Sequence, residues 1–364
     1  MIFFIITVPV YAEEASLSEA LAEVLSMLSV DELTDLYEKA GEPLGKGDAA
    51  EILLSLAENG LSGISFEGLF SGVFGAFREV WKSFLPVLLE LLALQLILGL
   101  AENAGGMKKS ILLFGRILLM TAACSVVMRA LKTANQAVVS FSEIMERIVP
   151  VASGMLLLMG SFKSSAVMTP LLSVLSGTIA GLIRSLILPM LTASSALALC
   201  EAFSEKTSGI KKLLMSISKG FLAFISAVFL AFGSINGFIT SRIDSVSMKT
   251  AKFAVDKSIP IVGGMFSDSF ETFMACAGLI RNAAGIMSIV ILLAVMLGPV
   301  LQLLSAVFLL QLAGGLASPF ADEKSGKLLS SAAAALKLVL VSLLVLYAMA
   351  FIVIALFLGV FGNV

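Results

Sequence analysis

Several side chains able to exchange protons, ions or hydrogen bonds stand inside long apolar runs: Glu90, Gln95, Arg116, Arg184, Lys219, Asp268, Glu271, Arg281 and Asn282. A charge at the centre of a membrane helix costs about 2.5–3.5 kcal/mol on insertion scales. Each should therefore face a bundle interior, pair, or reach the water surface. Glu90 is the most central in its run, and Arg281 with Asn282 interrupts another. These residues could line an ion or substrate path, or simply pair. Lys219, Lys163 and Arg184 are read as snorkelling or pairing. Asp268 and Glu271 are three apart and share a face if the segment is helical. They are the one carboxylate pair from which an intramembrane enzyme could be built; the plainer reading is a polar helix end.

Other chemistry is removed by composition. The chain has no histidine, so imidazole acid–base catalysis, Ser-His or Cys-His nucleophiles and histidine metal sites are absent. Cys124, Cys200 and Cys276 form no C-x-x-C pair and read as small apolar packing residues rather than a metal or disulfide framework. No G-x-x-x-x-G-K-[ST] loop occurs, so ATP hydrolysis, if the system uses it, belongs to another chain. We expect no cofactor, no metal and no nucleic-acid partner.

The elements that must position these residues are membrane helices. Of 364 residues 59% are hydrophobic and 14% charged, and mean hydropathy is +1.04; soluble domains run at about 45–50% apolar and 25% charged. The fold class predicted is all-α, a polytopic membrane protein partnered by the lipid bilayer. Charge is uneven: residues 13–80 hold 14 acidic and 3 basic residues, and residues 81–364 hold 12 acidic and 21 basic.

Residues 1–12 read as the end of a secretory signal or as an anchor, with Ala12 suiting cleavage. Residues 13–80 are then a small acidic helical segment outside the cytoplasm. Ser16 and Glu19 form a capping box, and Gly41 and Pro43 stop a second helix. Phe66, Phe70, Phe74, Phe77 and Trp81 line one helix side, as an interfacial or partner surface or as the core of a small domain. Residues 83–146 hold the first two membrane helices, 83–101 and about 110–128, and a polar connector. Lys108 and Lys109 between them suit a cytoplasmic loop.

The rest looks duplicated. Val149-Pro150-Val151-Ala152-Ser153-Gly154-Met155 recurs as Ile259-Pro260-Ile261-Val262-Gly263-Gly264-Met265, an offset of 110 residues that also carries Pro189 onto Pro299. The recurrence is either an internal repeat, with units 147–240 and 257–364, or chance among apolar segments. Broken or re-entrant helices are expected at Pro150, Gly154, Pro260, Gly264, Pro189 and Pro299. Irregular backbone at membrane depth survives only where protein or water satisfies it, so such half-helices could line a pathway. A permease-like transporter with its site between the two units is the alternative this suggests.

The block from Met248-Lys249-Thr250-Ala251-Lys252 through Ser258-Ile259-Pro260-Ile261-Val262-Gly263-Gly264 to Phe270-Glu271-Thr272 resembles the stage III sporulation protein AE family of endospore-forming bacteria. So do Arg281-Asn282-Ala283-Ala284-Gly285, the Val149-Pro150 to Pro170 segment, and Ser318-Pro319-Phe320-Ala321-Asp322. The resemblance implies a mother-cell membrane protein at the outer forespore membrane. It implies membership of a secretion-like transenvelope channel complex that acts during engulfment and sustains forespore viability and late gene expression. Other membrane subunits and a separate ATPase are the partners implied. No catalytic residues come with it.

Overall fold

The computed structural model describes residues 21, 31–41, 49–59, 66–103, 109–158, 162–201, 207–231, 263–316 and 323–358. Nine helices lie within them: α1 (Asp31–Lys39), α2 (Ala49–Asn59), α3 (Phe66–Asn103), α4 (Lys109–Leu158), α5 (Phe162–Leu182), α6 (Leu188–Cys200), α7 (Thr207–Ala231), α8 (Gly263–Leu316) and α9 (Glu323–Leu358). No strand occurs among the described residues. The signal-like start, the Ser16–Glu19 box, Pro43, the block 248–262 with Pro260, and 318–322 lie outside them.

Six stretches are long and apolar enough to cross a membrane: Phe77–Ala101, Leu112–Leu157, Leu172–Cys200, Thr207–Ala231, Ala275–Gly315 and Lys324–Ala355. The protein is therefore a polytopic all-α membrane protein. Arginine, lysine and glutamate are sparse in these stretches, and Leu, Ile, Val and Ala leave every backbone group to be satisfied within the helix, as hydrocarbon demands.

Several expected breaks are not there. α4 continues through Pro150 and Gly154, and α8 through Pro299. A proline removes one hydrogen bond and can kink a helix, but packed neighbours let it stay helical at membrane depth. The boundary set between 146 and 147 falls inside α4 for the same reason. Backbone irregularity occurs instead just ahead of Pro189. Ile183–Ile187 form a π turn, and Pro189 occupies the first turn of α6.

The centre of the packing is α9. Leu336, Val339, Leu343, Leu346, Ala350 and Ile354 are fully buried on it, against α8, α4 and α6. α8 and α9 meet at two glycines: a Cβ at Gly314 would stand 3.3 Å from the Gly326 carbonyl oxygen. Such small residues allow close helix contact where no hydrophobic force drives it. α3 and α4 form an antiparallel hairpin in which Leu98 fills the space over Gly115. Its outer face is apolar, with Leu85, Leu89, Leu96, Ile97, Leu100, Leu113, Phe114 and Ile117 exposed.

The hairpin is only one tier. Thr133 of α4 bonds to Gln302 of α8, and Phe141 meets Tyr347 of α9, which fixes α4 antiparallel to α8. At 1.5 Å per residue α4 continues about 38 Å past Thr133, and α8 reaches about 58 Å back from Gln302. On that second tier α4 exposes Lys132, Glu143 and Glu146, and α1 packs there through Arg147.

Candidate functional site

The residues singled out by chemistry are dispersed. Glu90 is exposed midway along α3, among the apolar side chains of the hairpin's outer face. Arg281 is half-buried and Asn282 exposed on α8. Asp268 and Glu271 fall near the start of α8, with side chains outside the description. Pro150 is exposed and Gly154 half-buried on α4. Gly264 is the second residue of α8. Counting from the Thr133–Gln302 bond, Gly154 lies opposite about residue 281. Gly264 is some 17 positions further along, about 25 Å away. The two glycines do not come together.

Three other polar groupings do form, each between helices distant in sequence. The first joins α6, α7 and α9. Lys211 donates to the Glu201 carboxylate and, at 3.1 Å, to the Ser331 hydroxyl, while Ser331 donates to Glu201 at 2.7 Å. The two charged side chains are 10% and 18% exposed, which takes this pair out of the class of surface ion pairs. Burial alone would raise the Glu201 pKa. The hydrogen bonds from Lys211 and Ser331 and the Lys211 charge outweigh it and hold the carboxyl below its usual 4.5.

The second grouping ties the acidic segment to α4. Arg147 pairs with Asp35 and, at 3.5 Å, with Glu32. Asp35 also accepts from Lys39 at 3.1 Å. The Lys39 hydrogen bond, with Arg147, holds Asp35 below its usual 3.8. Behind these charges Leu33, Leu36, Tyr37, Leu53 and Leu56 are buried, so α1 and α2 present an apolar face inward and an acidic one outward.

The third lies where α3, α4 and α8 cross. A cavity of about 290 Å³ is lined by Glu79, Val80, Ser83, Phe84, Arg129, Ala130, Thr133 and Gln302. Thr133 donates to the Gln302 carbonyl at 2.9 Å. Arg129 donates through Nε to the Ser125 carbonyl, and among the described residues no carboxylate pairs with it. Glu79 pairs with Lys82 at 3.2 Å.

None of Glu201, Lys211, Ser331, Arg129 and Arg147 is among the candidates that the sequence singles out. A signal existed in each case: one charged residue flanked by apolar helix and facing an opposite charge elsewhere. Its partner could not be chosen from sequence. Gln95 was flagged, and it is fully buried with both amide atoms unpartnered. Phe74 and Phe77 are exposed, so these two do not form the core of a small domain. No group of His, Cys, Asp or Glu able to hold a metal ion occurs among the described residues.

The family model described as stage III sporulation protein AE matches residues 48–360. A curated relative named Stage III sporulation protein AE, from Bacillus subtilis (strain 168), is 28% identical over 192 residues, 52% of this chain and 48% of the relative. The alignment thus spans about half the length of that relative. No solved structure matches.

Proposed function

The chain belongs to the stage III sporulation protein AE family, and from that premise we propose that it is a multi-pass subunit of a channel complex joining mother cell and forespore. Its family places it among sporulation membrane proteins. The finer role, the mother-cell membrane facing the forespore, and the partners are our reading.

The observation that carries this reading is length. α8 has 54 residues, or about 81 Å of helix. Tilted by 40°, the upper end of the usual range, it still projects about 62 Å along the membrane normal, beyond the roughly 40–45 Å of a bilayer with its headgroups. Part of the α4, α8 and α9 tier therefore stands outside one membrane. That tier bears the acidic α1–α2 face, which would lie between the two membranes and could receive a basic partner. A subunit that bridges envelopes needs such a projecting body; a transporter confined to one bilayer does not.

Glu90 supports a partner within the membrane as well. An exposed carboxylate halfway along an apolar helix is relieved when a neighbouring subunit brings a cation or hydrogen-bond donor to it. We assign the chain no catalytic step.

The test is native mass and composition after gentle extraction from sporulating cells. A large assembly holding other membrane subunits and an ATPase is expected. A discrete small oligomer without partners would sink the proposal and turn attention to transport assays in vesicles.

A further inference from the structure

The cavity at the α3, α4 and α8 crossing continues into a narrow groove of different character. Trp81, Phe84, Leu85, Leu88, Ser305, Phe308 and Leu309 line the groove, and Phe84 belongs to both; its enclosed space is only about 10 Å³, and the Trp81 and Phe308 rings meet edge-on at 5.9 Å across it. From Trp81 to Leu88 the groove runs along α3 toward the apolar middle of the hairpin. The cavity sits at the other end, beside the charged Glu79, Lys82 and Arg129. Leu85 and Phe308 are half-exposed, so the groove opens sideways on the same face as the lipid-facing leucines.

The donors at the cavity are unspent. Arg129 uses only Nε, on Ser125. Because Thr133 donates to the Gln302 carbonyl, both Gln302 amide hydrogens remain available. The Glu79 charge is offset by Lys82, so the mouth keeps a net positive charge. The free N–H groups of a guanidinium form the fork that grips a phosphate, the Gln302 amide adds a neutral donor at the same cavity, and Trp81 marks the headgroup level as interfacial tryptophans do. Headgroup donors above and an exposed apolar face below match one molecule class, an amphiphile with a phosphate head.

We propose that this crevice binds one phospholipid molecule, with its phosphate on Arg129 and Gln302 and one acyl chain lying over the open apolar face of Trp81, Leu85 and Phe308. The lipid would act as a wedge that completes the crossing of three helices at the bilayer surface.

Trp81 is the chain's single tryptophan, so its fluorescence reports the groove. The full chain in detergent micelles is titrated with phosphatidylglycerol carrying a dibrominated acyl chain. Quenching that saturates near one lipid per chain is expected. Arg129→Gln should raise the half-saturation concentration at least about ten-fold, the loss of a charge-assisted hydrogen bond. Leu85→Glu, which puts a charge on the open apolar face, should abolish the saturable part. Quenching that rises in proportion to lipid and is the same in all three proteins would overturn the proposal. Displacement by millimolar inorganic phosphate would overturn it in favour of a free-anion site. Native mass spectrometry of the unaltered chain gives an independent check: one retained phospholipid mass is expected, and a bare chain under the mildest release conditions counts against the site.

Discussion

Replacing Lys211 by methionine isolates the Glu201–Lys211–Ser331 tie. Breaking a fully buried ion pair by removing one partner costs about 3–5 kcal/mol, and an exposed pair about 0–1 kcal/mol. Here the side chains are 10% and 18% exposed, which sets the loss toward the upper range. Ser331 still donates to Glu201 in the variant, and a hydrogen bond to a charged group returns about 1.5–3 kcal/mol. A net loss of about 2 kcal/mol follows for Lys211→Met. Glu201→Gln should cost less, about 1 kcal/mol, since the amide keeps the Ser331 bond and the lysine stem can reach outward. The double variant removes both charges and should cost less than the two singles together, with a coupling of about 1 kcal/mol. The assay is reversible denaturation in mixed micelles, followed by helix content, on all four proteins. If the single losses add to the double within about 0.3 kcal/mol, the two charges are uncoupled, and the idea that they pin α6 and α7 to α9 is refuted. The sign with pH is fixed too: Glu201 is held below its usual 4.5, so the tie is fully present above that value and is lost as pH falls through the lower, folded value.

Gly314→Leu should force α8 off α9, because even a Cβ would lie 3.3 Å from the Gly326 carbonyl oxygen; yield and monodispersity should fall, while Gly278→Ala, with nothing within 4 Å, leaves both unchanged. Arg147→Ala should loosen α1 from α4 and expose the 31–41 region to limited proteolysis, an outcome ruled out if the cleavage pattern matches the unaltered chain. In the unaltered chain that protection should persist as pH falls to 3.8 and weaken only below it, since Lys39 and Arg147 hold Asp35 under its ordinary value. Glu90→Leu should improve insertion of the isolated chain by about 2.5–3.5 kcal/mol yet reduce recovery of partner subunits; unchanged recovery would mean that Glu90 faces only lipid.

The helical membrane class was legible because it rests on composition and on runs of twenty or more apolar residues, both local properties. The hairpin was legible for the same reason: 83–101 and 110–128 are separate apolar runs with lysines between them. Helix ends at prolines were not, because a proline's effect depends on what is packed beside it. Pro150 and Pro299 lack a helical hydrogen bond just as Pro189 does, yet only Pro189 follows a π turn.

The candidate site failed to show for a related reason. Glu201 and Lys211 are ten residues apart, but the hydroxyl that completes them comes from Ser331. Asp35 meets Arg147 across 112 residues, and Thr133 meets Gln302 across 169. A lone charge beside an apolar run announces that it needs a partner; which of 24 basic and 26 acidic residues answers it is set by helix order and register. Those depend in turn on contacts such as Gly314 on Gly326, where the absence of a side chain is the information. A sequence shows glycine abundantly in any membrane protein, so its meaning at one crossing emerges only with the neighbouring helix in place. The same holds for the two tiers: each apolar run is long enough to span a bilayer, and only the structure joins such runs end to end within α4 and α8.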